Sequence, residues 1–400
     1  MVTIQRISDK LDSRSNRRSL SAYVITVEDK SMAGSSFGTL FRVTTWGESH
    51  GKGLGVTVDG CPAGLSLCEE DIQAYLDRRK PGQNRYTTKR SESDSVKIWS
   101  GVFEGKTTGT PISLVIENGD QHSADYSSLK DVYRPGHADL GFDEKYGLRD
   151  YRGGGRSSGR ETAARVAAGA IAAKILKELG VEVTAYTASI GPVVCDPSAF
   201  DEEHLKNSAL YMPDAEAEEN AREYLDECMA AKDSSGGTVH CVVKGLPAGI
   251  GEPVFDKLDA LLSQALFSIG AVKGVEIGDG LFAAMSRGSE NNDQYQDSED
   301  GPKKASNHAG GILGGMSDGS SVLIRAAFKP TPSIAQMQTA LGSDGQVHGL
   351  EITGRHDPVI VPRAVVVVEC MTAITVLDLM MRNMTARMDS LKKIYAPAKQ

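Results

Sequence analysis

The sequence has few cysteines, and they form no pattern that would bind a metal or build a disulfide framework. Six cysteines are spread over 400 residues, with no C-x-x-C pair and no histidine at zinc-site spacing. We therefore expect free thiols in a reducing compartment and no metal site. A cytoplasmic location is favoured over a plastid, because acidic residues interrupt the N-terminal segment.

Long apolar runs and excess positive charge are also missing. No apolar run reaches the roughly 18–20 residues that cross a bilayer, and the best candidate, 364–377, is interrupted by Glu369. The formal net charge is -9, which argues against a general nucleic-acid binder. We predict neither membrane nor nucleic-acid partners, although a cleft can still hold a local positive field.

Composition divides the chain into three parts. Residues 1–33 are rich in Ser, Arg and Asp and are predicted to be a flexible extension, followed by one catalytic domain over 34–391 and a tail over 392–400. Within the domain, 286–308 is polar and turn-rich and is predicted to be a mobile loop.

Periodic patterns predict mixed helices and strands. A helix over 66–80 is expected to be capped by Ser66 with Glu69, and an Ala-rich helix over 160–179 to end at Gly180. The remaining patterns predict strands at 40–45, 96–103, 111–117 and 364–369, and a helix at 371–391.

An internal repeat suggests two related halves. The motif Gly-x-Pro-Ala-Gly, between a strand and a helix, occurs at 60–64 and again at 245–249. A site between related halves would be natural. Chance recurrence of a common turn is the alternative.

The stretch DYRGGGRSSGRETAAR, residues 150–165, places four arginines around a glycine triplet. Ser158 and Glu161 match an S-x-x-E capping box at the start of a helix. Exposed amides at a helix N-terminus and guanidinium groups both suit phosphate or carboxylate. An ordinary capped helix with solvated arginines is the alternative.

A second arginine cluster, 77–90, includes Arg79 and Arg85. Basic residues at a helix C-terminus also suit the helix dipole, which remains an open alternative. Two clusters together indicate a ligand with several negative groups, because the arginine fork matches phosphate and carboxylate.

Three residues are candidates for proton transfer. His50 and His137 lie in glycine-flanked turns, and Asp357 follows a glycine-containing turn. A loop histidine titrates near neutral pH, although each residue could simply stabilise its turn. The chain has no P-loop motif. The residues alone therefore indicate a pocket for several anions with acid–base groups, and no particular reaction.

At these same residues the sequence resembles the chorismate synthase family. The strings GESHGKGLGVTVDGCP (47–62), YRGGGRSSGRETAARVAAGAI (151–171) and GRHDPVIVPRAVVVVEC (354–370) resemble that family's three signatures. The resemblance extends from about residue 32 to about residue 388.

The resemblance implies a carbon–oxygen lyase of the shikimate pathway. Such an enzyme converts 5-enolpyruvylshikimate 3-phosphate to chorismate and phosphate by 1,4-anti elimination, and it requires reduced FMN. NADPH is a possible reductant, with an external flavin reductase as the alternative. The implied fold class is α+β, a β–α–β sandwich with helices between antiparallel sheets, and the implied assembly is a homotetramer.

The resemblance also implies roles for individual residues. His50 would act as general acid, His137 would protonate or polarise the flavin, and Asp357 would assist proton removal. Substrate binding would fall to Arg79, Arg85, Ser49 and Ser158. FMN would be bound by Arg156, Ser157, Ser158, Gly270, Ala271, Gly314, Lys329, Pro330, Thr331, Pro332, Ser333 and Arg355.

Two residues depart from the family's usual pattern. Gly270 stands where Asn is frequent, and Pro332 stands where Ser is usual. Each change removes a polar side-chain contact, and proline also lacks an N–H donor.

A rival hypothesis is a non-catalytic protein that binds phosphorylated ligands or RNA through the same arginines. The acidic composition and the absence of aromatic stacking repeats weigh against RNA.

Overall fold

The computed structural model describes residues 34–88, 92–119, 129–299, 301–352 and 357–396, with the backbone of 2–6 and 23–27. The chain separates into two compact units, Met1–Ser36 and Phe37–Gln400. The first contains an antiparallel pair of strands, β1 (Val2–Arg6) and β2 (Tyr23–Val27). The predicted flexibility of 1–33 stays a prediction.

The first half of the large unit builds a five-stranded sheet in the order β3-β4-β5-β9-β6. Its elements are β3 (Ser36–Phe37), β4 (Arg42–Gly47), β5 (Gly53–Asp59), α1 (Glu69–Arg79), β6 (Val96–Ile98), β7 (Val102–Phe103), β8 (Lys106–Thr107) and β9 (Ile112–Glu117).

The middle of the chain adds a helical layer and begins a second sheet. Its elements are β10 (Val132–Tyr133), α2 (Asp139–Tyr146), α3 (Thr162–Glu178), β11 (Glu182–Ile190), β12 (Val193–Val194), α4 (Glu202–Asn207), α5 (Ala215–Ala230), β13 (Gly237–Lys244), α6 (Leu258–Phe267) and β14 (Val272–Ile277).

The C-terminal part completes the second sheet, in the order β12-β11-β13-β19-β14, and a three-stranded sheet β10-β20-β21. Its elements are α7 (Gly288–Asn291), β15 (Tyr295–Gln296), β16 (Lys303–Lys304), β17 (Ile312–Leu313), β18 (Met316–Ser317), β19 (Val322–Phe328), β20 (Met337–Gly342), β21 (Val347–Glu351), α8 (Val361–Asn383) and α9 (Met388–Tyr395). The mobility of 286–308 stays a prediction.

Helices α3 and α8 form the centre of the core. Small residues let them approach closely, since a Cβ built on Gly169 would lie 2.2 Å from the Cβ of Cys370. Helix α3 also contacts β4 and β5, whereas α8 contacts β11 and β13. The architecture is therefore α+β, with a helical layer that contacts both large sheets.

The strand predicted at 364–369 is wrong, because these residues lie inside the 23-residue helix α8. The run of valines suits a strand, but tertiary burial overrides that propensity. A helix buried on all sides has no polar stripe from which its period could be recognised. Helix α8 has the length and apolar character of a membrane span, and 89% of its apolar window is buried inside the protein, as in a core helix.

One predicted helix cap is wrong, and the other, in which Ser158 caps the 3-10 turn before α3, forms without its Glu161 half. Helix α1 begins after Cys68, whose N–H donates to Asp71 at 2.9 Å, while Ser66 forms a bridge with Lys106. The Ser158 hydroxyl accepts from the N–H of Arg160 rather than completing an S-x-x-E box. Tertiary partners outcompete these local bonds, because Ser66 pairs with a neighbouring segment and the Glu161 carboxylate binds Thr45 and Arg165.

The two copies of Gly-x-Pro-Ala-Gly have the same backbone. Their glycines adopt φ of +81° and +93° at Gly60 and Gly64, and +77° and +92° at Gly245 and Gly249. In each copy the middle strand of a five-stranded sheet precedes the turn and a helix follows it. Common descent of the halves stays a prediction, which this match favours.

Candidate active site

A cavity of about 540 Å³ lies where turns from both halves of the large unit meet. This volume is typical of sites for small molecules and cofactors. The cavity brings together most of the predicted site residues, namely Ser49, His50, Arg79, His137, Arg156, Ser157, Ser158, Gly270, Ala271, Lys329, Thr331, Pro332, Ser333 and Asp357.

Among the predicted site residues that the structure describes, three do not line this cavity, namely Arg85, Gly314 and Pro330. The Arg85 side chain is 63% exposed and forms an ion pair with Asp226 of α5. Gly314 lies in the β17–β18 turn, and the carbonyl oxygen of Gly315 accepts from the N–H of Leu258 at the start of α6. The cavity residues 268–271 follow the other end of α6. A ten-residue helix spans about 15 Å, so Gly314 is distant. Pro330 lies between lining residues, and Arg355 lies outside the described residues.

His50 is held in a tight turn on one wall. Its Nδ1 lies 3.0 Å from Ser49 Oγ, and the residue is only 7% exposed. The Asn118 amide donates to the carbonyl oxygens of Glu48 and Gly51, at 2.9 Å each. These bonds close the turn around His50, so its imidazole has a defined direction towards the cavity.

His137 lies on a turn that precedes α2. Its Nε2 is 2.7 Å from Ser333 Oγ, which joins this turn to the segment after β19. Arg134 forms a fork with the Asp139 carboxylate, with Nε and Nη2 each donating at 2.8 Å. Although burial opposes it, this pairing lowers the pKa of Asp139. The ion pair therefore fixes the turn that carries His137.

Asp357 is oriented by two donors. The N–H of Thr88 donates to Oδ1 at 2.8 Å, and Arg363 Nη1 donates to Oδ2 at 2.7 Å. Arg363 lies in the first turn of α8, so the carboxylate is held between that helix and the segment after α1.

Four further arginines line the cavity, and the sequence did not single them out individually. Arg160 and Arg165 belong to the cationic stretch, whose composition was the available signal. Arg134 and Arg363 stand alone in the chain, and only the fold brings them to the cavity. The arginines make the site cationic, despite the acidity of the whole chain.

Another part of the cavity lining combines small residues with cations. Gly270 has no side chain there, and Ala271 adopts φ +72°. Burial and the nearby Lys273 lower the pKa of Lys329. Arg156 donates to the Thr45 hydroxyl at 2.6 Å, which fixes its guanidinium at the cavity. The small residues leave room for a flat ring, and the cations suit a phosphate group.

Comparisons with known proteins agree with this site. The family model described as chorismate synthase matches residues 41–381. A chorismate synthase of Agathobacter rectalis is 60% identical over 91% of this chain and 99% of its own length, and one of Lachnoclostridium phytofermentans is 61% identical over 91% and 100%. A crystal structure of chorismate synthase superposes with a TM-score of 0.69 at 34% identity, covering 89% of this chain and 96% of that one. The chain therefore belongs to the chorismate synthase family.

Proposed function

We propose that this protein converts 5-enolpyruvylshikimate 3-phosphate to chorismate and phosphate with the help of reduced FMN. The observation that carries the proposal is that His50, His137 and Asp357 line one cationic cavity. The substrate has a phosphate and two carboxylates, which arginine forks bind well.

His50 is the general acid in this proposal. The C–O bond to the phosphate breaks, and His50 gives a proton to the departing phosphate oxygen. Acid catalysis of this kind is worth about 10²–10⁴-fold in rate. The buried guanidiniums of Arg79 and Arg160 stabilise the charge that develops on the phosphate, because they are oriented before the reaction begins.

Asp357 assists removal of the ring proton. Its carboxylate is held ready by Arg363 and Thr88, so it does not have to reorganise as the C–H bond breaks. The electrons of that bond form one new double bond, the existing ring double bond shifts, and the electron pair of the C–O bond leaves with the phosphate, so the elimination involves no net oxidation or reduction.

The cavity residues that would hold FMN are Arg156, Ser157, Ser158, Ala271, Lys329 and Ser333, and His137 lines the same cavity. When bound, reduced FMN supplies an electron-rich ring that stabilises the electron-poor centre left by the phosphate. Gly314 and Arg85 would contribute to binding at this cavity only if the chain assembled so that a neighbouring subunit brought them there.

The test is anaerobic formation of chorismate from 5-enolpyruvylshikimate 3-phosphate with chemically reduced FMN. We expect turnover in the wild type and a loss of at least about 100-fold in His50→Ala and His137→Ala. His348→Ala is the matched control, because His348 is exposed, pairs with Asp344 and lies outside the cavity lining. Product without reduced FMN, or full activity in both cavity variants, would contradict the proposal.

The non-catalytic alternative makes a different prediction in the same assay. A mere binder of phosphorylated ligands would take up the substrate without releasing phosphate. The arrangement of two histidines and one oriented carboxylate favours catalysis, since binding alone needs only the cations.

We further propose a β–α–β sandwich, supported by the contacts of α3 and α8 with the two large sheets. A homotetramer and a cytoplasmic location are proposed from the family resemblance alone. An external flavin reductase is the preferred source of electrons, because the chain has no G-x-G-x-x-G motif after a strand. Incubation with NADPH and oxidised FMN alone tests this preference. Chorismate formation there would show that the chain reduces its own flavin.

A further inference from the structure

Asp94 lies behind the cavity wall, in the loop before β6, and is completely buried. Its Oδ2 accepts from Nε of Arg79 at 2.9 Å and also from Nη2 of Arg79. Its Oδ1 accepts from Nη1 of Arg160 at 2.5 Å. One carboxylate therefore holds two arginines of the cavity, one with each oxygen.

The two arginines come from different parts of the fold. Arg79 is the last residue of α1, and Arg160 lies in the 3-10 turn before α3. Burial lowers the pKa of Arg79 to about 10, with Arg363 and Arg160 adding to the effect and Asp94 opposing it. Two buried guanidiniums repel each other, so the carboxylate between them stabilises both at the wall, and Glu92 adds a second carboxylate 3.4 Å from Arg160 Nη2.

The network around Asp94 continues to two of the three proton-transfer candidates, His50 and Asp357. Arg160 Nε donates to Asn118 Oδ1 at 2.6 Å, and Asn118 holds the turn of His50. On the other side, Arg363 Nε donates to the carbonyl oxygen of Arg79 at 3.1 Å and also binds Asp357. Asp94 is thus central to a buried chain of hydrogen bonds beneath the site.

The backbone of Asp94 is in the left-handed region, with φ +47°. Aspartate and asparagine tolerate this conformation better than other residues with a side chain. Such a conformation persists where the surroundings determine it strongly, and it is frequent at functional sites.

We propose that Asp94 is a positioning residue that aligns Arg79 and Arg160 to bind a phosphate or carboxylate group in the cavity. The identity of the ligand as a phosphorylated dicarboxylic acid rests on the proposed function, whereas the anion site does not. Recognition by two forks depends on the orientation of both guanidinium planes. Loss of that orientation outweighs the gain in positive charge when the carboxylate is removed.

Asp94→Asn tests the proposal, with inorganic phosphate titrated calorimetrically into the full chain. Asparagine has the same shape and tolerates the backbone, but it is neutral and offers one acceptor oxygen, so this side chain can no longer hold both arginines. We expect the dissociation constant for phosphate to rise at least about tenfold.

Glu369→Gln is the matched control. Glu369 is also buried and pairs with an arginine of α1, since its carboxylate accepts from Arg78 at 2.9 and 2.8 Å. Neither residue lines the cavity. We expect this variant to lose a similar ion pair and to bind phosphate within about twofold of the wild type.

Asp94→Glu covers the case in which the asparagine variant does not fold. It keeps the charge but moves the carboxylate by one methylene, so weaker phosphate binding is again expected. Unchanged or tighter binding in a folded Asp94 variant would overturn the proposal, as would a wild type that binds no phosphate. A wild type that binds phosphate but forms no chorismate would refute the proposed function and leave the role of Asp94 standing.

Discussion

Gly153 lies directly against the imidazole of His50. A Cβ built on Gly153 would be 2.5 Å from His50 Nδ1, closer than real Cβ contacts allow, and 3.2 Å from Ser49 Oγ, which is a tight contact. Gly153→Ala therefore has to displace the histidine. We expect kcat/KM for chorismate formation to fall by about 100-fold, because a shift of about 1 Å in a reacting group has that effect.

Gly155→Ala separates displacement of His50 from backbone strain. Gly155 has φ +51°, but its added Cβ would meet no atom within 4 Å. The alanine there costs about 1–2 kcal/mol of strain without touching His50. We expect lower thermal stability with nearly unchanged kcat/KM. Equal losses of activity in both variants would show that strain, rather than contact with His50, is responsible.

Ser333 is predicted to set the orientation of His137 through their 2.7 Å contact. Ser333→Ala removes a hydrogen bond worth about 0.5–1.5 kcal/mol, so kcat should fall about 2- to 10-fold. Ser189→Ala is the control, because Ser189 is equally buried and bonds Thr238 at 2.8 Å outside the cavity lining. A normal kcat in Ser333→Ala would mean that His137 is held by other contacts.

The site was more predictable from sequence than the core around it. A glycine triplet or an arginine cluster indicates an anion-binding site from neighbouring residues alone. The cavity contains Arg79, Arg156 and Ser158 from these stretches, as predicted. Arg85 is six residues from Arg79, yet the turn after α1 directs it to Asp226. Sequence proximity does not specify the direction of a side chain.

Long-range ion pairs could not be predicted from the sequence. Asp94 is separated from Arg160 by 66 residues, and its loop has the polar composition of any surface turn.

The first part of helix α8 was missed because its local sequence favours a different structure. Its valines favour a strand locally, and only packing against α3 and the sheets makes the helix the stable choice.

The packing of α3 on α8 predicts opposite effects for one substitution at two helical glycines. Gly169→Ala places a Cβ 2.2 Å from the Cβ of Cys370, so the helices must separate. We expect the free energy of unfolding to fall by about 1–3 kcal/mol. Gly141→Ala, in α2, meets no atom within 4 Å and should raise it by about 0.5–1 kcal/mol, because alanine favours helices. Denaturant titration of both variants gives the two signs, and a stabilised Gly169→Ala would contradict the close packing.

His240 is predicted to make the fold sensitive to mild acid. Burial, with a contribution from Arg325, lowers the pKa of this β13 histidine from 6.5 to about 4. The unfolded chain therefore takes up a proton at higher pH than the folded protein does. The contribution of neutral, buried His240 to the free energy of unfolding is fully present above pH 6.5. It is lost as the pH falls from 6.5 towards 4, because only the unfolded chain takes up the proton there.

His240→Gln removes this titration and keeps a polar group near Tyr186, whose hydroxyl is 3.4 Å from His240 Nδ1. Between pH 7 and pH 5 the free energy of unfolding should fall further in the wild type than in the variant, by at most about 2 kcal/mol. Urea unfolding at pH 7 and pH 5 measures the loss of unfolding free energy in each protein. Comparing the two losses cancels the titration of all other groups. Parallel losses in the two proteins would mean that His240 is protonated in the folded state at pH 5, and that the β13 face is more hydrated than its burial indicates.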